Sequence, residues 1–159
     1  MSVVTTSRPL SLGKAAAITG LVAGTLDVFA ASGINGVPPT IILRAIASGL
    51  LGARAYMAGI GPIWLGTGLQ IAISILLAAI YTMVATRMPV LWRRPILFGL
   101  LYGLGIFIIM NMLVAPLSAA TPRPHVTLVW LLLNVAAMLV FGLIVSLGTA
   151  RLGARLAAA

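Results

Sequence analysis

The chain has 159 residues, 62% hydrophobic and 7% charged, with a mean hydropathy of +1.21 and a formal net charge of +9. Soluble domains carry about a quarter charged residues, so this composition excludes a water-exposed globule and indicates an integral membrane protein. The ten basic residues lie in five short segments between apolar runs, unlike the clustered patch of a nucleic-acid binder.

Cysteine is absent, which removes disulfides, thiolate metal sites and thiol nucleophiles. Nine arginines against one lysine, with abundant alanine, suggest a high-GC bacterial genome. The opening stretch "MSVVTTSRPLSLGK" lacks an apolar core with a cleavage site, so no removable signal peptide is expected. Residues 1–14 read as a cytoplasmic segment and the first span as its own insertion signal.

Four runs are long enough to cross a hydrocarbon layer about 30 Å thick, which takes roughly 20 helical residues. They fall at about 15–34, 63–86, 96–117 and 126–150, with 151–159 left as a cytoplasmic tail. Strand-like alternation is missing, which argues against a β-barrel. The expected fold class is all-α: a polytopic membrane protein with four transmembrane helices and a short amphipathic helix after the first.

That extra helix is read at about 40–55, within "VPPTIILRAIASGLLGARAYMAGIGP", with Pro39 at its first position. Its arginines, Arg44 and Arg54, oppose full insertion, since each costs roughly 2.5–3.5 kcal/mol at the centre of a span. It is expected either to lie at the interface or to form a shallow re-entrant segment.

Basic residues set the orientation. Arg8, Lys14, Arg87, Arg93, Arg94, Arg151 and Arg155 fall on one side, and Arg44, Arg54 and Arg123 on the other. This seven-to-three bias predicts a bacterial inner-membrane protein with both termini in the cytoplasm. Trp64, Trp92 and Trp130 stand where headgroup anchors belong.

The segments "GTLD", "RAIASGLLG", "AAIY", "GLLYG" and "MNMLVAPLSA" occur in that order over about 130 residues. In these the chain resembles a group of uncharacterised bacterial inner-membrane proteins related to the YagU-like family. The resemblance implies a four-span bundle with a short extra helix and no established activity. Members often carry histidine where this chain has Gln70 and Asn134, so the resemblance carries no haem or metal role across.

Asp27 is the only acidic residue, and it stands inside the first span. At 1.5 Å per residue it lies about 18 Å from the cytoplasmic start of that span. Gln70, Asn111 and Asn134 lie about 10, 9 and 12 Å from the outer ends of theirs. All four therefore fall in one layer, which predicts a polar cluster inside the bundle.

Gly20, Gly24, Asp27 and Ala31 share a face of small residues that favours close helix approach. Gln70, Ser74 and Tyr81 form a stripe on the second span, and Gly103 and Asn111 one on the third. Arg44 is the candidate ion-pair partner for Asp27. Such a pair would be permanent, whereas an unpaired carboxylate would titrate. The three amides serve equally well as interhelical glue.

Met110 and Met112 read as packing residues and His125 as a loop residue, so no metal site and no cofactor is expected. An enzyme is not expected either, because paired carboxylates, a second histidine and thiols are lacking. Two functions remain. One is a small proton-linked carrier or permeation protein using Asp27. The other is a structural or accessory subunit of a larger membrane complex. The expected partners are the lipid bilayer and a possible homo-oligomer or complex, with no nucleic acid.

Overall fold

Proline and glycine punctuate the chain. Proline stands at the first or second position of α2 (Pro39–Leu51), α3 (Gly61–Arg87) and α5 (Pro95–Ile109), where its missing N–H would have no partner in any case. α1 (Pro9–Asn35) closes at Gly36, which takes φ 63°. There the Val37 N–H reaches back to the Ser32 carbonyl at 3.2 Å, satisfying a carbonyl of the last turn. These elements come from a computed structural model, which describes residues 9–57, 59–119 and 127–158. The remaining elements are a 3₁₀ turn at Gly52–Tyr56, short α4 (Val90–Arg93), a π-helical turn at Met110–Val114, α6 (Ala115–Leu117) and α7 (Leu128–Ala158).

The protein is an all-α polytopic membrane protein. Four stretches are long and apolar enough to span: Leu12–Asn35, Gly61–Arg87, Pro95–Leu117 and Leu128–Leu152. Three boundaries differ from the sequence reading, the first being α2, which ends at Leu51 and passes into the 3₁₀ turn where the sequence predicts helix to residue 55. α1 starts at Pro9, inside the stretch 1–14 read as a cytoplasmic segment, and α7 runs on to Ala158 through the segment read as a tail. No proline interrupts residues 128–158, so Arg151 and Arg155 mark a change of environment and not of backbone. Arg8, Arg123, His125 and the side chain of Arg155 lie outside what is described.

Successive spans run in opposite directions, so α1 is antiparallel to α7 and α3 is parallel to it. Thr19 of α1 packs against Gly148 of α7, and Thr82 of α3 meets Thr149 of α7 at 3.3 Å between hydroxyls. One end of the bundle therefore gathers Lys14, Arg87, Arg93, Arg94 and Arg151, and we call it the basic end. Laterally the order is α3, α1, α7, α5, with α5 resting mainly on α7 and touching α3 little.

Glycine makes the closest contacts. Gly99 and Gly103 of α5 interlock with Gly142 and Met138 of α7, and a side chain at any of these glycines would strike backbone or the Ser146 hydroxyl. Lipid gives helices no hydrophobic reason to associate, so such backbone-to-backbone packing supplies the attraction. Large apolar side chains point outward, among them Leu26, Phe29, Leu76 and Leu132, as a lipid-facing surface requires.

At the opposite end α2 lies across α3. The Leu43 carbonyl sits directly over Gly66, and the Ala119 N–H donates to the Gly49 carbonyl at 3.0 Å. With 13 residues α2 is about 20 Å long, too short to cross. The π-helical turn before Pro116 has a local cause. Proline offers no N–H to the Met112 carbonyl and its ring crowds that position, so the turn widens and the Ala115 N–H bonds to Met110.

Candidate functional site

α1 turns its glycine face toward α3. A Cβ on Gly20 would lie 2.7 Å from the Ile75 Cα, and one on Gly24 would meet the Ser74 side chain. This approach lets Gln70, one turn along α3 from Ser74, reach across to α1. Its amide nitrogen donates to the Gly24 carbonyl at 3.0 Å and to the Asp27 Oδ2 at 3.3 Å. The structure thus joins two of the four polar residues expected in one layer.

The other two stay apart. Asn111 is exposed, and its amide donates to the Phe107 carbonyl one turn back at 2.9 Å. Eight residues from Gly103 amount to about 80° of rotation past whole turns. The stripe proposed for these two residues therefore splits, with Gly103 against α7 and Asn111 on the outer face. Asn134 is half-buried and returns its amide to the Trp130 carbonyl at 2.8 Å. Equal depth did not bring equal facing.

Arg44 is not the partner of Asp27. Its guanidinium donates to the carbonyls of Ala55 at 3.0 Å and Gly59 at 2.6 Å. Carbonyls at the end of a helical turn lack backbone donors. A forked cation on α2 finds them nearer than the carboxylate, and it ties the 3₁₀ turn back onto α2. Among the described residues, the side chain bonded to Asp27 is Gln70 alone.

Beside this pair a cleft of about 150 Å³ opens between α1 and α3, under α2. The wall is almost wholly apolar, with Phe29 and Leu43 in it, and Thr25, Thr67, Gln70 and Ser74 add little polar surface. The Thr25 and Thr67 hydroxyls are spent on their own helices, on the Leu21 and Ile63 carbonyls. Gln70 lines the cleft, and Asp27, which is not among the lining residues, is bonded to Gln70.

The pair is left rich in acceptors. Asp27 Oδ1 and Gln70 Oε1 receive no hydrogen bond from the described residues. Neither is sealed in, since the Tyr81 hydroxyl is the buried side-chain oxygen without a partner among those residues. A carboxylate accepts and does not donate. The site can therefore take a proton or a cation.

Three polar contacts escaped the sequence reading. Trp130 Nε1 donates to Asn35 Oδ1 at 3.1 Å, latching α7 to the end of α1. Thr82 meets Thr149, and the Tyr102 hydroxyl donates to the Leu77 carbonyl at 2.7 Å. Threonine and tyrosine are common in apolar spans, so only the helix arrangement distinguishes these. Among the described residues no group of three or more metal-ligating His, Cys, Asp or Glu side chains occurs. Comparison with family models, curated proteins and solved structures finds no match for this chain.

Proposed function

We propose that this is a small non-enzymatic carrier or permeation protein in which Asp27 exchanges a proton for a cation. The observation that carries the reading is the acceptor-rich Asp27–Gln70 pair beside a cleft, with no guanidinium or ammonium of the described residues bonded to it. Intramembrane acids are costly and mark ion or proton pathways far more often than inert packing. A carboxylate already neutralised by arginine has little to exchange, but Asp27 is held by a neutral amide. Gln70 stands between carboxylate and cleft, so rotation of its side chain would admit a ligand.

The apolar wall and the modest volume suit a proton or a small lipophilic cation over a hydrated metal ion. The seven-to-three distribution of basic residues supports a bacterial inner-membrane setting with the basic end in the cytoplasm. Kinship with the YagU-like family belongs to the same proposal and rests on the quoted segments alone.

The test is flux through proteoliposomes holding the full chain. An entrapped pH dye reports proton movement, and tetraphenylphosphonium serves as the competing cation. The expected result is proton flux that tetraphenylphosphonium alters and that Asp27→Asn abolishes. Flux no greater than in protein-free vesicles, for both ions, overturns the carrier reading and leaves that of an accessory subunit.

A further inference from the structure

The outer face of α5 carries one polar residue in an otherwise apolar line. Leu97, Leu101, Leu104, Ile108 and Asn111 follow one another at steps of four, three, four and three residues. This is the spacing of one face of a helix, and it is a spacing at which two helices can pack side by side. All five are exposed; the four apolar members show between 40% and 54% of their surface. The four apolar members lie opposite Gly99, Gly103 and Ile106, the face buried within the protomer, and Asn111 stands at the edge of their stripe. The intramolecular packing of α5 is thus already complete.

Asn111 makes the stripe more than a lipid-facing surface. Its Nδ2 donates once, to the Phe107 carbonyl, and its Oδ1 accepts nothing from the described residues. An amide left facing hydrocarbon is unfavourable, and such groups bond across helices where they can. A single asparagine in an otherwise apolar seam is the usual device for fixing register.

We propose that this stripe joins two copies of the chain, α5 against α5, around a two-fold axis along the membrane normal. A second copy is favoured over another protein because the amide is both donor and acceptor and so complements itself. Two copies inserted the same way round bring Asn111 to the same depth without adjustment, and the same axis pairs Leu104 with Leu104. Asn111 stands within the widened turn Met110–Val114, and the stripe ends there. This interface is independent of the function assigned to Asp27.

The absence of cysteine allows a direct test in the full chain. Single variants Leu97→Cys, Leu104→Cys and Ile108→Cys are oxidised in proteoliposomes at low protein density. Ile109→Cys on the flank of α5 and Leu132→Cys on α7 are controls of similar exposure. A disulfide needs Cβ atoms about 3.5–4.5 Å apart, which only residues near the axis attain. Dimer bands at the seam positions, several-fold above both controls, are expected. Equal yields at seam and control positions, or none at the seam, overturn the interface.

The Leu104→Cys background then takes Asn111→Leu and Asn111→Gln. Both should keep the helicity of the parent, since the site faces outward. Asn111→Leu should weaken association roughly tenfold, the worth of a good interhelical amide contact, and Asn111→Gln should recover part of it. Association unchanged by Asn111→Leu refutes the amide contact.

Discussion

Gln70 holds Asp27 from the neighbouring helix, one amide nitrogen shared between the carboxylate and the Gly24 carbonyl. Two variants separate the roles of this pair. Asp27→Asn keeps an acceptor where Oδ2 stood, so stability should change by less than about 0.6 kcal/mol, the mean worth of one such bond in a membrane. Ion flux, in contrast, should vanish. Gln70→Leu removes two donations and should cost about 0.6–1.7 kcal/mol, read as a lower unfolding midpoint in mild detergent. Retained flux in Asp27→Asn would remove the carboxylate from the mechanism.

Arg44 should behave as a clamp on its own turn. Arg44→Gln strips charged donors from the Ala55 and Gly59 carbonyls, a loss of about 1.5–3 kcal/mol for contacts of this kind. Combined with Asp27→Asn, the effects should add to within about 0.5 kcal/mol, as for sites sharing no partner. A double-mutant cycle on the purified protein measures this. A coupling above about 1 kcal/mol would restore the ion pair that the sequence suggested.

The spans and their antiparallel order were legible because apolar length and charge placement act locally and leave long signatures. The Asp27–Gln70 contact was legible too, since depth could be counted and Gly20 and Gly24 identified the inward face. Asn111 was misplaced because depth does not give azimuth, and eight residues end about 80° off the stripe. Arg44 was misassigned because a distant carboxylate is visible in sequence while nearby carbonyls without donors are not. That α5 leans on α7 and leaves α3 is set by the mutual fit of Gly99, Gly103 and Gly142. No single helix carries that information.

Glycine packing yields a paired prediction within one helix. A Cβ on Gly103 would lie 2.9 Å from the Leu139 Cα, whereas one on Gly105 would meet nothing within 4 Å. Gly103→Ala should therefore destabilise by about 1–3 kcal/mol through forced separation of α5 and α7. Gly105→Ala should be neutral or stabilising by up to about 1 kcal/mol, because alanine loses less backbone freedom on folding. Thermal unfolding of both variants in the same detergent makes the comparison, and equal effects would contradict the packing.

Orientation follows from the basic end. A reporter fused after Ala159 should be active only in the form that works in the cytoplasm, since Arg87, Arg93, Arg94 and Arg151 gather at that end. A periplasmic phosphatase signal from the same fusion would invert the assignment.

Tyr81 and Tyr102 pack edge to face with ring centroids 5.0 Å apart, yet their hydroxyls differ. Tyr102 donates to the Leu77 carbonyl at 2.7 Å, while the buried Tyr81 hydroxyl meets no hydrogen-bond geometry with the described residues, Ser146 being its neighbour. Phenylalanine keeps the ring and removes only the hydroxyl, so the two substitutions isolate that difference. Tyr102→Phe breaks a bond that joins α5 to α3, where the two helices otherwise touch little. It should cost about 1 kcal/mol. Tyr81→Phe removes a desolvated group that gains nothing from burial, so stability should hold or rise by up to about 1 kcal/mol. Unfolding midpoints of the two variants decide it. A loss in Tyr81→Phe as large as in Tyr102→Phe would mean that the Tyr81 hydroxyl is bonded in the membrane, with the Ser146 hydroxyl on the facing α7 the first group to test.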